Sequence, residues 1–223
     1  MNIQPIAYYR SQLSTKFGVP RQSGLVPELV GRIVFEPEYS NADALRGIEG
    51  FDYLWLIWEF SLNGKREGEW SPLVRPPLLG GNEYVGVFAT RSPFRPNALG
   101  LSSVRLLSVE DGALVISGAD LVDGTPIYDI KPYVEYADAH VGVRSGFVDE
   151  KRWEKVEVRF PEDLRAFFCD EEYSTLCKVL ELDPRPQYHN DPDRVYGMPF
   201  AGRDVRFRVS SEGVLEVIEI RSI

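Results

Sequence analysis

Residues 101–117 read Leu-Ser-Ser-Val-Arg-Leu-Leu-Ser-Val-Glu-Asp-Gly-Ala-Leu-Val-Ile-Ser and carry the clearest structural signal in the chain. Asp111 and Gly112 lie between two runs rich in leucine, valine and isoleucine. Glycine readily adopts the positive φ angle that a two-residue hairpin turn requires. The pattern therefore predicts a β-hairpin with strands over residues 101–110 and 113–117.

Runs of β-branched and aromatic residues predict further strands on both sides of this hairpin. They cover residues 30–36, 53–60, 85–89, 127–133, 203–210 and 214–221, and the run at 53–60 is predicted to be buried on both faces. Helical patterns are fewer: a short helix capped by Ser40 or Asn41, and an amphipathic helix over residues 161–182. This balance favours a mainly β (α+β) fold, with a barrel or α+β architecture rather than a Rossmann-like doubly wound sheet.

The types of predicted element change near residues 150–160. Strands dominate residues 1–150, whereas residues 151–223 contain the long helix and a terminal hairpin. We therefore expect two parts, a strand-rich domain over residues 1–150 and a small helix-plus-hairpin region over residues 151–223.

Composition excludes several classes of protein. The chain has 223 residues, of which 43% are hydrophobic and 12% aromatic, enough for a sizeable core and too many for a disordered chain. It contains no apolar run of about 18 residues and no signal-peptide core after Met1, so we expect no membrane span. Two cysteines are too few for a disulfide framework, which makes a cytoplasmic location the expectation.

The charge is acidic overall but uneven. A formal charge of -9 argues against a protein that coats nucleic acid by bulk attraction. Residues 71–105, however, hold Arg75, Arg91, Arg95 and Arg105 against Glu83 alone, which gives 4 − 1 = +3. Chance fluctuation explains such a window as well as a local anion site does.

The common catalytic signatures are missing. No G-x-G-x-x-G segment follows a predicted strand, Gly64-Lys65 lacks the upstream glycine of a phosphate-binding loop, and no G-x-S-x-G elbow is present. His140 and His189 are the only histidines and have no cysteine neighbours, so we expect no metal site. A Rossmann-type methyltransferase is disfavoured for the same lack of a glycine-rich loop.

Residues 85–102 combine a predicted strand with a loop stiffened by two prolines. Because Pro93 and Pro96 restrict the loop, Arg91, Arg95 and Asn97 can be held in place before a ligand arrives. Arginine offers a planar fork for phosphate or carboxylate and a flat face for stacking. The alternative is an ordinary tight turn with solvated arginines.

Two acidic patterns follow. Asp120 and Asp123 flank a turn, where they could hold ribose hydroxyls or simply cap their own backbone. Asp129, Lys131 and Tyr133 alternate, so a strand would place all three on one face. Together they form either a proton-transfer cluster or a solvated sheet face.

Two long motifs carry a family resemblance: Phe-Ala-Thr-Arg-Ser-Pro-Phe-Arg-Pro-Asn-Ala-Leu-Gly at residues 88–100, and Asp-Gly-Thr-Pro-Ile-Tyr-Asp-Ile-Lys-Pro-Tyr at residues 123–133. With these motifs the chain resembles the TrmO (YaeB/VirR-like) family over nearly all of residues 5–136. The resemblance implies a β-barrel, usually a homodimer, that uses S-adenosyl-L-methionine. It also implies methylation of the exocyclic amino nitrogen of threonylcarbamoyl-adenosine at position 37, in the anticodon stem-loop of tRNA.

The resemblance also assigns residues. The cofactor contacts would be Pro20, Arg21, Gln22, Arg91, Leu101, Asp120, Leu121, Val122 and Asp123. Members of the family often carry a histidine where this chain has Ser61, so no side-chain role is assigned at that position.

Chemistry suggests roles for the remaining candidates. The target nitrogen is amide-like and poorly nucleophilic, so Asp129 or Tyr133 is the candidate base, with Lys131 as an electrostatic partner. Arg95, with Asn97 beside it, is the candidate for binding the threonyl carboxylate of the modified base. Arg203, Arg206 and Arg208 could contact the tRNA stem or form a solvated strand face.

Two other functions remain open at this level. A non-catalytic RNA-binding barrel would use the arginine loop only to grip phosphate and base. A hydrolase would need Ser92 or Ser102 as its nucleophile, and neither serine has a histidine near it in the sequence.

Overall fold

The computed structural model of the protein describes residues 2–62, 70–186 and 191–223. Over these residues the strands, in chain order β1 to β12, are Ala7–Arg10, Val30–Phe35, Tyr53–Glu59, Leu73–Val74, Val85–Gly86, Leu99–Glu110, Ala113–Ser117, Pro126–Pro132, Val158–Arg159, Tyr196–Phe200, Arg203–Val209 and Leu215–Ser222. The α-helices α1 to α4 are Glu135–Asp138, Phe147–Glu150, Glu162–Arg165 and Asp170–Glu181. Short 3₁₀ helices cover Ala42–Leu45, Ile48–Gly50, Pro77–Leu79 and Val87–Ala89.

Six strands close into a barrel in the order β1-β2-β7-β6-β3-β8. The predicted hairpin is confirmed as β6 and β7, which pair antiparallel from Arg105↔Ser117 to Glu110↔Ala113. The barrel closes because β1 pairs with β2 on one side and with β8 on the other. The mainly β, non-Rossmann fold class is therefore confirmed.

Strand β3 lies between β6 and β8 in the barrel sheet, and its inward side chains supply much of the barrel core. Leu54, Leu56 and Trp58 are buried, while Tyr53 faces solvent and Trp55 is half-buried. The prediction that this strand is buried on both faces is therefore wrong. Its side chains alternate because only one face of a barrel strand meets the interior.

The second half of the chain forms a four-stranded sheet in the order β10-β11-β12-β9. Helix α4 packs on it through Leu176, Val179 and Leu180. Leu13, Val26 and Leu29, from the connection between β1 and β2, belong to this second core. The predicted boundary near residue 150 lies between β8 and β9, and the division into two domains stays a prediction.

The predicted helix over residues 161–182 is wrong as a single element. Helix α3 ends after one turn, and α4 begins at Asp170, where the Glu172 carboxylate accepts a hydrogen bond from the Cys169 backbone N–H at 3.2 Å. The predicted strand over residues 85–89 is also too long, because it turns into a 3₁₀ helix after Gly86. The short helix capped by Asn41 is confirmed as a 3₁₀ turn in which Asn41 Oδ1 accepts from Asp43 N–H.

Candidate functional site

A cleft of about 660 Å³ opens beside the barrel where several chain segments meet. One wall comes from residues 58–62 at the end of β3, and another from residues 20–23 in the β1–β2 connection. The loop before β6 and the turn after β7 complete it. Cofactor-sized ligands occupy clefts of roughly 300 to 1,000 Å³, so the volume suits a nucleoside-bearing molecule.

Two carboxylates, Glu59 and Asp120, are among the described residues that line this cleft, and a short hydrogen-bond relay fixes the position of Asp120. Trp58 Nε1 donates to Ser102 Oγ at 2.9 Å, and Ser102 Oγ donates to Asp120 Oδ1 at 2.5 Å. Burial raises the pKa of Asp120, and the hydrogen bond from Ser102 partly opposes that rise. A positioned carboxylate can accept hydrogen bonds from hydroxyl groups or offset the charge of a cationic ligand.

The arginine loop is tied to the opposite wall of the cleft. Arg91 Nη1 donates to the side-chain oxygen of Gln22, so the two segments meet across the opening. Arg95 Nη1 donates to the carbonyls of Thr90 at 3.2 Å and Ser92 at 3.1 Å, which holds the loop in its bend. Arg95 also lines the cleft, whereas Asn97 is exposed outside its lining.

Arg21 joins the cleft to the second half of the chain. Its Nη1 and Nη2 donate to the carbonyls of Leu182 and Asp183 at 2.6 and 2.7 Å, and its guanidinium stacks on Trp153 at 3.9 Å. Burial lowers the pKa of Arg21. The arginine fork is thus engaged by backbone oxygens, and the residue lines the cleft as part of its wall.

Arg21→Lys is expected to destabilise the protein, because an ammonium group cannot reproduce the planar fork or the stacking on Trp153. Losing one of two charge-assisted hydrogen bonds should lower the free energy of unfolding by about 1.5–3 kcal/mol. Urea denaturation measures the change. The matched control is Arg32→Lys, because Arg32 also donates to two acceptors, both on Glu110, but at an exposed site where a pair contributes about 0–1 kcal/mol. Equal losses in the two variants would contradict the role given to Arg21.

Most of the residues that the resemblance assigns to the cofactor meet in this cleft. Those lining it are Pro20, Arg21, Gln22, Arg91, Leu101, Asp120 and Val122. The structure places the other two elsewhere: Leu121 is fully buried in the barrel core. Asp123 accepts from the Ser11 N–H at 3.0 Å and faces Arg10 at 4.0 Å.

The three candidate catalytic residues lie outside the lining of the cleft. Asp129 and Lys131 form an exposed ion pair at 2.8 Å, as their alternation on one face of β8 predicts. Tyr133 packs against Tyr53 and Trp55, and Trp55 itself lines the cleft. Strand β8 thus places the trio beside β3, with Lys131 opposite Trp55, and the catalytic role of the trio stays a prediction.

Sequence reasoning missed the residues that support Asp120. Trp58 was predicted only as a buried strand residue, and Ser102 only as a hydrolase nucleophile. The useful signal was the two-residue period of β6, which places Gly100, Ser102 and Val104 on the inward face. Ser102 is buried and hydrogen-bonded on both sides, an arrangement that suits positioning rather than nucleophilic attack.

The arginines of the C-terminal hairpin all face acids. Arg208 pairs with Glu216 at 3.0 Å, and Arg206 lies 3.7 Å from Glu219. Arg203 lies 4.0 Å from Glu172. Their positive charge is largely compensated, and contact with a tRNA stem stays a prediction.

Neither a metal cluster nor a membrane helix is found in the described ranges. Among residues 2–62, 70–186 and 191–223, no three histidine, cysteine or acidic side chains come together as a metal site. Within those same ranges, no helix has both the length and the apolar character needed to cross a bilayer. His189 lies outside the described residues.

The raised pKa of Asp120 gives opposite pH dependences for binding and for stability. Protonation removes the negative charge of Asp120, so ligand affinity should fall as pH drops through that pKa. The folded state holds this proton more tightly than the unfolded chain, so the contribution of Asp120 to stability should decrease as pH rises through the same window. Calorimetry and urea titrations across pH 4–7 measure both trends, and Asp120→Asn should flatten both. Affinity that is independent of pH in the unaltered protein would contradict the assignment.

Two family models match this chain. The family model for the tRNA-methyltransferase O N-terminal domain matches residues 8–139, and that for the TrmO C-terminal domain matches residues 153–223. The chain belongs to the tRNA-methyltransferase O family. These two matches together cover nearly all of it, including every residue assigned above to the cleft.

Individual relatives in the tRNA-methyltransferase O family agree. The tRNA (adenine(37)-N6)-methyltransferase of Escherichia coli K12 is 38% identical over 222 residues, covering 94% of each chain. The human protein of the same name is 39% identical over 152 residues, covering 66% of this chain and 33% of its own. A Pseudomonas aeruginosa protein named as an S-adenosylmethionine-dependent methyltransferase is 38% identical over 227 residues, with 98% and 97% coverage. The crystal structure of TrmO from Pseudomonas aeruginosa superimposes with a TM-score of 0.80 at 31% identity, covering 100% of this chain and 99% of the other.

Proposed function

We propose that this protein is an S-adenosyl-L-methionine-dependent tRNA (adenine(37)-N6)-methyltransferase, and that its substrate nucleoside is threonylcarbamoyl-adenosine. The observation that carries the proposal is the meeting of seven family-assigned cofactor residues around one cleft, with a positioned carboxylate inside it. Family membership supports the reaction class. The choice of threonylcarbamoyl-adenosine as the substrate rests on the chemistry of the arginine loop and on the family resemblance.

The residues of the cleft fit the cofactor by charge and by shape. Asp120, held by Ser102, would accept hydrogen bonds from ribose hydroxyls or face the positive sulfonium side of the molecule. Pro20 and Leu101 supply apolar walls, and Gln22 is fixed by Arg91. When bound, the cofactor supplies an electrophilic methyl group.

The substrate side of the reaction would fall to the loop and to β8. Arg95 would bind the threonyl carboxylate, with Asn97 at the edge of the loop as a second contact. The proton lost from the target nitrogen would pass to the Asp129 carboxylate or to Tyr133 in its phenolate form, with Lys131 balancing the charge. General-base assistance of this kind contributes roughly 10² to 10⁴ in rate, and alignment of the two substrates contributes the larger share.

We also propose that the protein acts as a cytoplasmic homodimer. Three exposed apolar side chains lie on the segment that carries the arginine loop and the start of β6, and they support a partner surface there: Phe88 is 73% exposed, Phe94 64% and Leu101 59%. Light scattering on purified protein tests the dimer. A mass of one chain at micromolar concentration would contradict it.

The deciding experiment pairs binding with product analysis. Titration calorimetry with S-adenosyl-L-methionine should show one site per chain. Purified protein should then methylate tRNA from a strain that lacks this activity, and nucleoside mass spectrometry should show the methylated threonylcarbamoyl-adenosine. tRNA that carries unmodified adenosine at position 37 is the matched substrate control.

Three other outcomes would change the assignment. Methylation of unmodified adenosine would keep the reaction class and remove the threonylcarbamoyl substrate. RNA binding without cofactor binding would favour the non-catalytic barrel. Cofactor binding without any methylated nucleoside would refute the tRNA reaction itself.

A further inference from the structure

A second cleft, of about 630 Å³, lies next to the first one. Its walls are residues 75–82, between β4 and β5, and residues 182–186, after α4. It is nearly as large as the first cleft, and apart from Pro20 and Arg21, which line both clefts, none of its described lining residues has been assigned a ligand.

The cleft is lined by cations. Lys16, Arg21, Arg75 and Arg185 are among its lining residues, and no acidic side chain is among the described ones. Asp183, which does not line the cleft, pairs with Arg185 and offsets the charge of that arginine. In a chain with a formal charge of -9, such a grouping is a strong local exception. Clefts lined by one sign of charge concentrate ligands of the opposite sign.

Two of these arginines are held in place before any ligand arrives. Arg185 donates through Nε and Nη2 to the two carboxylate oxygens of Asp183 at 2.9 Å each, and the two side chains are only 15% and 11% exposed. Arg75 lies over the ring of Tyr84 at 4.4 Å and donates to its hydroxyl. A fixed guanidinium loses less conformational entropy when it binds an anion.

The two clefts are continuous. Lys16, Val19, Pro20 and Arg21 line both, so a ligand that fills the first can extend into the second. Gly80 and Gly81, in the wall of the second, both have φ near +72° and open space where a Cβ would lie. A ligand can therefore approach the protein backbone closely at Gly80 and Gly81.

We propose that the second cleft binds backbone phosphates of the RNA nucleotides adjacent to the one whose base enters the first cleft. The inference rests on the proposed function in that RNA is the substrate. Arginine and lysine are the usual phosphate partners, and a nucleotide strand places phosphates next to every base. The phosphate contacts would fix the register of the strand, and the first cleft would select the base.

The test uses a double variant, Lys16→Ala/Arg75→Ala, because both residues are exposed and can change without opening the core. The control is Arg105→Ala/Arg144→Ala, which removes two exposed cations that line neither cleft. The probe is a synthetic anticodon stem-loop RNA, titrated by fluorescence anisotropy over a range of salt concentrations. Thermal melts confirm that both variants are folded.

Two lost phosphate contacts should weaken binding by roughly 25- to 60-fold near 0.1 M salt and reduce the salt slope by about 1.4–1.8, at about 0.7–0.9 for each contact. The control should change both quantities far less. Neutral methylphosphonates beside position 37 should weaken RNA binding to the unaltered protein and have little effect on the double variant. Equal behaviour of the two variants, or equal sensitivity to methylphosphonate, would overturn the proposal.

Two further arms separate the alternatives. Tight binding of inorganic phosphate to the second cleft, without any change in RNA affinity between variants, would reassign it to a free anion and overturn the RNA proposal. Calorimetry with S-adenosyl-L-methionine and the methylation assay report on the proposed function independently. Normal methylation with an unchanged salt slope would refute the phosphate site alone, whereas a changed slope without methylation would refute only the proposed reaction.

Discussion

Gly100→Ala is expected to damage the fold and the cofactor cleft together. Gly100 lies opposite Trp58 in the β3–β6 pair, and a Cβ on Gly100 would lie 2.3 Å from the indole ring. The indole must move, although it is buried and its Nε1 holds Ser102. Overpacking of this kind typically costs about 1–3 kcal/mol. Moving Trp58 should also release Ser102 and Asp120, so cofactor affinity should fall with stability.

The matched control for Gly100→Ala is Gly86→Ala. Gly86 is also a strand residue, but a Cβ there meets no atom within 4 Å. Urea denaturation and calorimetry with S-adenosyl-L-methionine, applied to both variants, measure the two effects. Normal stability and affinity in Gly100→Ala would show that Trp58 does not position Asp120.

Asp120→Asn is expected to have the largest effect on the cofactor. The amide keeps the size of the side chain and an acceptor for Ser102, but it loses the negative charge. Hydrogen bonds to a charged group contribute about 1.5–3 kcal/mol, so affinity for S-adenosyl-L-methionine should fall by roughly 10- to 150-fold. The free energy of unfolding of this variant should stay the same or rise, because burial makes the charged form of Asp120 unfavourable.

Asp123→Asn is the companion variant, since Asp123 belongs to the same turn but contacts Ser11 and Arg10 outside the cleft. Its cofactor affinity should stay near that of the unaltered protein. A larger loss in Asp123→Asn than in Asp120→Asn would reverse the assignment of the two carboxylates.

Local patterns predicted the barrel, but not how it closes. The hairpin at residues 101–117 and the strands at 30–36 and 53–60 have strong β-branched and aromatic signals, and all three are present. Strand β1 was missed because four residues, Ala7–Arg10, carry too little pattern. Its pairing partner Ile127 lies far away in the chain, so the closure depends on contacts that no sequence window contains.

The C-terminal region was harder to predict for a different reason. The apolar stripe over residues 161–182 continues through the break between α3 and α4, because the residues of that break also pack inward: Phe168 is buried against the second sheet. The spacing of apolar residues indicates which side chains are buried, and here the buried face continues across a break in the helix. Cysteine is not a usual N-cap residue, so the contact between Glu172 and the Cys169 N–H that starts α4 left no clear sign in the sequence.

The sequence predicted which residues line the candidate site better than it predicted which contacts hold them in place. Family motifs pointed to Asp120 and Arg91, and both line the cleft. The same motifs gave no hint that Arg21 donates to Leu182 and Asp183, or that Ser102 connects Trp58 to Asp120. Such links depend on which side chains become neighbours after folding, and spacing along the chain does not encode them.

The placement of Leu13, Val26 and Leu29 in the second core has a consequence for cooperativity. The segment that carries Pro20, Arg21 and Gln22 leaves the barrel at β1, packs against the C-terminal sheet and returns at β2. Unfolding of that sheet would remove the packing partners of the β1–β2 connection and open one wall of the cofactor cleft. The two halves should thus unfold in a single transition, and a saturating cofactor should raise the melting temperature of the C-terminal sheet, although no strand of that sheet is among the described residues that line the cofactor cleft.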